Sequence, residues 1–122
     1  MELSKRTIMQ RIDDIEDDYK RQMRRLEAVE EDMRHAGNQF LKTLDVKAER
    51  LRFMISNYAP ETIPPLSHGY NMITRTHDEA THMMREKLEK IEAQREDIEA
   101  QYRKDIGCFK DNLMKIDRES EE

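Results

Sequence analysis

A chain of 122 residues, with 40% charged and 36% hydrophobic residues, no Trp and only three Gly, has room for one small fold unit. It is too short for a catalytic domain joined to a regulatory one. A mean hydropathy of -1.04 excludes a membrane span, and the composition excludes an all-β domain.

Leu, Ile, Val and Phe together fall just under the roughly one-fifth share at which disorder becomes a live reading. Two features oppose disorder. The 22 basic residues nearly cancel the 27 acidic ones, leaving a net charge of -5, and the apolar residues recur at helical spacing. Balanced charge with periodic apolar residues predicts long amphipathic helices, an all-α chain. The acidic balance offers no general cation field for a phosphate backbone, so no nucleic-acid partner is expected. The basic cluster Lys20, Arg21, Arg24 and Arg25 lies between Asp17, Asp18 and Glu27 and reads as a solvated helix face crossed by ion pairs. No apolar stretch of signal-peptide length follows Met1, and the single Cys108 cannot form an internal disulfide. Both point to a protein folding in a reducing cytoplasm without insertion into a membrane.

Ser4 is a candidate N-cap for the first arm. From there Ile8, Ile12, Ile15, Tyr19, Met23, Leu26, Val29, Met33, Ala36, Phe40, Leu44, Ala48, Leu51, Ile55 and Tyr58 follow one another by three or four residues, which predicts one helix over about residues 5–57. Successive steps of four, as at Tyr19–Met23 and Phe40–Leu44–Ala48, relax a strict heptad, so the expected helix is gently curved. Gly37-Asn38 could end a helix as a left-handed cap and split this arm, giving a three-helix bundle. The apolar steps run through it, and continuity with a kink is the expectation. Residues 59–69, with Pro60, Pro64, Pro65, Gly69 and the capping candidates Thr62 and Ser67, form the predicted turn. Tyr70, Ile73, His77, Ala80, Met84, Leu88, Ile91, Arg95, Ile98, Tyr102, Ile106, Phe109, Leu113 and Ile116 then predict a second helix over about residues 70–117.

Two stripes joined by one turn fold most simply into a long antiparallel, coiled-coil-like helical hairpin. Ile55 would then face Met72, and Ile12 would lie near Phe109 to Leu113. Pairs four apart, Glu16 to Lys20, Asp17 to Arg21, Glu86 to Lys90 and Glu99 to Arg103, would support the exposed faces. One narrow seam rarely stabilises a domain alone, and Met9, Leu41, Phe53, Met54, Met72, Met83 and Met114 lie off it or at its edge. These flanks call for a partner.

No constellation carries catalysis or a cofactor. His77 and His82 are five apart, turned by about 140° from each other, and miss the four-residue spacing that lets two His reach one zinc ion. Glu79-x-x-His82 has the spacing of a di-iron ligand pair, echoed by Asp32-x-x-His35, but a register set by a turn at 59–69 separates the two by roughly 15 Å along the axis. Cys108 beside Gly107 reads as a small buried or half-buried thiol. Nine Met residues offer adaptable packing. The partner-binding set expected from the stripes and their edges is Phe53, Met54, Met72, Met83, Met84, Leu88, Arg95, Tyr102 and Phe109, with Arg95 either snorkelling at the seam edge or setting register against an acidic partner residue.

Two long arms, a Pro/Gly-rich turn, and Ser67-His68-Gly69 where a Trp-x-Gly would stand resemble the small WXG-like helical hairpins of Gram-positive type VII secretion. The chain looks most like the accessory partners of LXG toxins. It departs from the WXG pattern in having no Trp, and in lacking an aromatic followed four positions later by an acid, since Ile106 follows Tyr102 and Leu113 follows Phe109 at that spacing. The resemblance implies a non-enzymatic adaptor or targeting factor that binds the helical N-terminal domain of a toxin. The export signal would come from the toxin or from a second small helical protein, and the chain would act in the cytoplasm or leave with its cargo. The alternative is a generic antiparallel scaffold that homodimerises into a four-helix bundle.

Overall fold

The computed structural model describes residues 4–57 and 63–121. Two helices, α1 (Lys5–Asn57) and α2 (Ile63–Glu121), pack against each other as an antiparallel helical hairpin. Ser4 caps α1 as expected: its Oγ accepts from the Thr7 backbone N–H at 3.2 Å and its carbonyl from that of Ile8 at 3.1 Å. Helix α1 runs unbroken through Gly37, and no described glycine has positive φ. Polar residues inside the helices turn back on their own turn, as in Thr43 Oγ1 to the Gln39 carbonyl and Thr76 Oγ1 to the Met72 carbonyl.

The second helix begins seven residues earlier than its apolar stripe predicted. Pro64, Pro65, Ser67 and Gly69 belong to α2 and not to a turn, while Tyr58, Pro60 and Thr62 lie outside the described residues. The reason is positional: in the first turn of a helix the backbone N–H has no partner four residues back, so a proline there removes nothing. The far end reaches Glu121, with Arg118 in the last turn where the helix dipole favours a cation.

The chain divides into two units, Met1–Ala28 with Ile91–Glu122, and Val29–Lys90. In the first, Ile8, Ile91 and Ile106 are buried, and Ile12, Ile15, Leu26, Ile98, Phe109 and Leu113 are half-buried beside them. Tyr19 and Tyr102 stack with ring centroids 4.1 Å apart and planes at 19°. Lys5 Nζ donates to Asp117 Oδ1 at 3.1 Å across the seam. Cys108 is exposed, not buried or half-buried as expected.

In the second unit Leu44 is buried, and Met33, Leu41, Leu51, Ile55, Leu66, Ile73, Met84 and Leu88 are half-buried. Asp45 stands opposite His77, and Arg52 opposite Tyr70. That register brings Ile55 opposite Leu66 and not Met72, because starting α2 seven residues earlier moves the partner of an α1 residue by a similar number of positions toward the start of α2. The inward stripe of α1 also differs from expectation. Val29, Ala36 and Phe40 are exposed, and their inward places are taken by Glu30, Gly37 and Leu41. Met84 decides this, since its Sδ fills the space where a Cβ on Gly37 would sit. With Gly37 turned inward, its neighbours one residue away rotate by about 100° to the flank.

Surface ion pairing also departs from the predicted set. Glu16 to Lys20, Asp17 to Arg21, Glu86 to Lys90 and Glu99 to Arg103 are not formed; Arg21 reaches Asp18 at 4.0 Å, Arg34 bonds Glu30 at 3.0 Å and His82 bonds Glu86 at 3.0 Å. Each exposed pair is worth only about 0.3–0.5 kcal/mol, too little to hold one geometry against water.

Candidate functional site

The Val29–Lys90 unit has two unlike flanks. At 100° per residue, Asp45 and Arg52 of α1 project to the same side of the seam as Tyr70 and His77 of α2, and the contacts agree. His77 Nε2 lies 3.3 Å from Asp45 Oδ1, and Arg52 Nη2 donates to Tyr70 Oη at 2.6 Å with its guanidinium carbon 5.5 Å from the ring centroid. The hydrogen bond to Tyr70 and that ring's charge when ionised hold Arg52 above its usual range. These residues line an open groove of about 310 Å³ with Leu44, Ile73 and Asp78.

On the other side of the same seam, helical spacing gathers Val29, Ala36, Phe40 and Met54 from α1 with Met72 and Met83 from α2. All six are exposed, Phe40 at 48%, Met72 at 56% and Met83 at 54%. Phe40 and Met83 fall almost level in the register and form the centre of an apolar flank. Phe53, 68% exposed, and Val46 point further outward from α1. Such a concentration of uncovered large apolar side chains in one unit marks an interaction surface more often than scattered exposure does.

The expected partner-binding residues therefore separate into two groups. Phe53, Met54, Met72 and Met83 are exposed and available. Met84 and Leu88 are half-buried in the hairpin's own seam, with Met84 spent on Gly37. Tyr102 and Phe109 are half-buried in the other unit, where Tyr102 stacks on Tyr19. Burial, with lesser contributions from Glu16 and Tyr19, raises the Tyr102 phenol above its ordinary range. Arg95 is folded onto its own helix through Glu92. Val29 and Phe40 do not stand out in the sequence as flank residues because their spacing fits the seam equally well; only the position of Gly37 opposite Met84 separates the readings.

The histidines considered for metal binding are otherwise engaged or exposed: His77 faces Asp45, His82 bonds Glu86, and His35 stands exposed. Among the described residues no group of three or more His, Cys, Asp or Glu is placed to hold a metal ion, and no helix is long and apolar enough to cross a membrane. An open groove of about 380 Å³ beside Tyr19 and Tyr102 is lined mainly by Asp and Gln side chains with Ile15 and Ile98. Comparison of the chain with protein-family models, curated proteins and solved structures finds no match.

Proposed function

We propose that this chain is a non-enzymatic adaptor that binds the helical N-terminal domain of an LXG toxin and delivers it to type VII secretion. The observation that carries the reading is the uncovered apolar flank of the Val29–Lys90 unit, centred on Phe40 and Met83. A hairpin that closes its own seam and still leaves Phe and Met side chains in water is suited to laying them against another helical surface, the mode in which apolar anchors at helical spacing fill a facing groove. Met suits this role because its unbranched, polarisable side chain adapts to an irregular partner.

Co-expression with the N-terminal helical domain of an LXG toxin tests the reading. The two chains should co-purify at equal stoichiometry. Phe40→Asp and Met83→Asp should abolish the complex while circular dichroism reports unchanged helicity. Retained binding by both variants would remove the flank from the interface. A stable species of twice the chain mass, formed by the protein alone and broken by the same substitutions, would favour the homodimeric scaffold instead.

A further inference from the structure

The outward surface of α1 between Gln39 and Phe53 combines two properties found together nowhere on the polar flank. Val46 and Phe53 stand exposed two turns apart, about 10 Å along the axis, and helical spacing sets them within about 20° of each other. Lys42 lies to one side of that row, Arg50 and Lys47 to the other, and all three are exposed with no hydrogen bond or ion pair to any described residue. The segment's two carboxylates are directed elsewhere: Asp45 faces His77, and Glu49 is tied electrostatically to Arg52. Gln39, Lys42, Thr43, Val46, Lys47 and Arg50 line a shallow groove of about 540 Å³.

The other basic cluster, Lys20, Arg21, Arg24 and Arg25, lies between Asp17, Asp18 and Glu27, and the chain as a whole is acidic at -5. An apolar row bracketed by unpaired cations on an acidic protein is complementary to an apolar row bracketed by anions. We infer that this surface docks an amphipathic helix of another protein whose apolar stripe is flanked by Asp and Glu. The inference deepens the adaptor reading and rests on it for the partner being a helix. A duplex or single-stranded phosphate backbone is disfavoured by the overall negative charge, and Val46 and Phe53 would find no counterpart along it. The carboxylates fix register and speed encounter, and the apolar row supplies the buried contact.

The test uses the full chain, isotope-labelled, and two synthetic helical peptides with identical leucine stripes, one flanked by Glu and one by Lys. The Glu-flanked peptide should shift backbone amide resonances across residues 39–57, with affinity falling about tenfold or more when salt is raised from 50 to 500 mM. Lys42→Glu, Lys47→Glu and Arg50→Glu combined should abolish those shifts and leave helicity intact, and Phe53→Ser should weaken binding without removing its salt dependence. Equal binding of both peptides, shifts mapped to other residues, or sedimentation of the chain with phosphatidylglycerol vesicles in preference to the peptide would each overturn the inference. The same charge-reversed chain separates the two readings. If it still forms the toxin-domain complex, this docking surface falls and the adaptor stands. If no toxin domain binds the parent chain while the Glu-flanked peptide does, the adaptor falls and the acidic-helix surface stands.

Discussion

The Met1–Ala28/Ile91–Glu122 unit and the Val29–Lys90 unit are built from the same two helices and use them differently. The first turns its large residues inward: Ile8, Ile91 and Ile106 are buried, its aromatic pair stacks on itself, and only Met9 and Met114 are large apolar side chains left exposed among its described residues. Among its described residues the second buries Leu44 alone, places Glu30 and Gly37 inward, and leaves Val29, Phe40, Val46, Phe53, Met54, Met72 and Met83 outside. Helical amphipathicity thus serves intramolecular packing in one unit and surface display in the other. The difference arises from which residue sits at the seam, since one position of rotation exchanges a core face for a flank.

Core truncation should break this contrast most sharply if it is wrong. Ile106→Ala in the first unit should lower stability by about 2–4 kcal/mol, whereas Phe40→Ala in the second should stay within about 0.5 kcal/mol, as read from urea unfolding. Equal losses would mean that Phe40 is packed in solution.

Glycine substitutions sharpen the comparison at the next level. Gly37→Leu forces Met84 out of its place and should cost about 1–3 kcal/mol, a loss that Met84→Ala partly restores. Gly107, in the first unit, has nothing within 4 Å of the point where a side-chain methyl would stand, so Gly107→Ala should raise stability by about 1 kcal/mol through helix propensity alone. Opposite signs of Gly37→Leu and Gly107→Ala in thermal unfolding are the expected result.

Alkaline titration addresses the tyrosine pair. The folded state raises the Tyr102 pKa above its ordinary 10.0, chiefly by burial, so the folded chain resists losing that proton more than the unfolded chain does. The associated stability is complete below pH 10.0 and declines as pH climbs from there through the folded value. Tyr102→Phe should flatten this decline in unfolding curves measured above pH 10.0 and leave neutral stability little changed. A parent chain whose stability is level across that range would contradict the burial assigned to Tyr102.

The smallest effect belongs to the exposed Lys5–Asp117 bridge. Lys5→Ala should cost under about 1 kcal/mol, and the loss should shrink further in high salt.

Much of this architecture is legible in the order of residues. A period of 3.6 in the apolar positions, with Ser4 ahead of it, determined the start of α1 at Lys5 and its end at Asn57, and every position of the second stripe from Tyr70 to Ile116 is buried or half-buried. Backbone hydrogen bonding and amphipathic spacing are local, so they are written locally. The start of α2 is not legible in the same way, because Pro is a breaker in a helix interior and innocuous in the first turn, and spacing alone does not say which of these Pro64 and Pro65 occupy.

What only the tertiary structure decided is the direction in which the middle of α1 faces. Val29, Ala36 and Phe40 extend the stripe as regularly as Glu30, Gly37 and Leu41 do, and by hydrophobicity they are the better core. The choice depends on Met84, on a different helix, which needs a partner without a side chain. Packing between residues far apart in the chain is a matter of volume and not of pattern, and here it places Phe40 in water, beside Met83, where another protein can reach it.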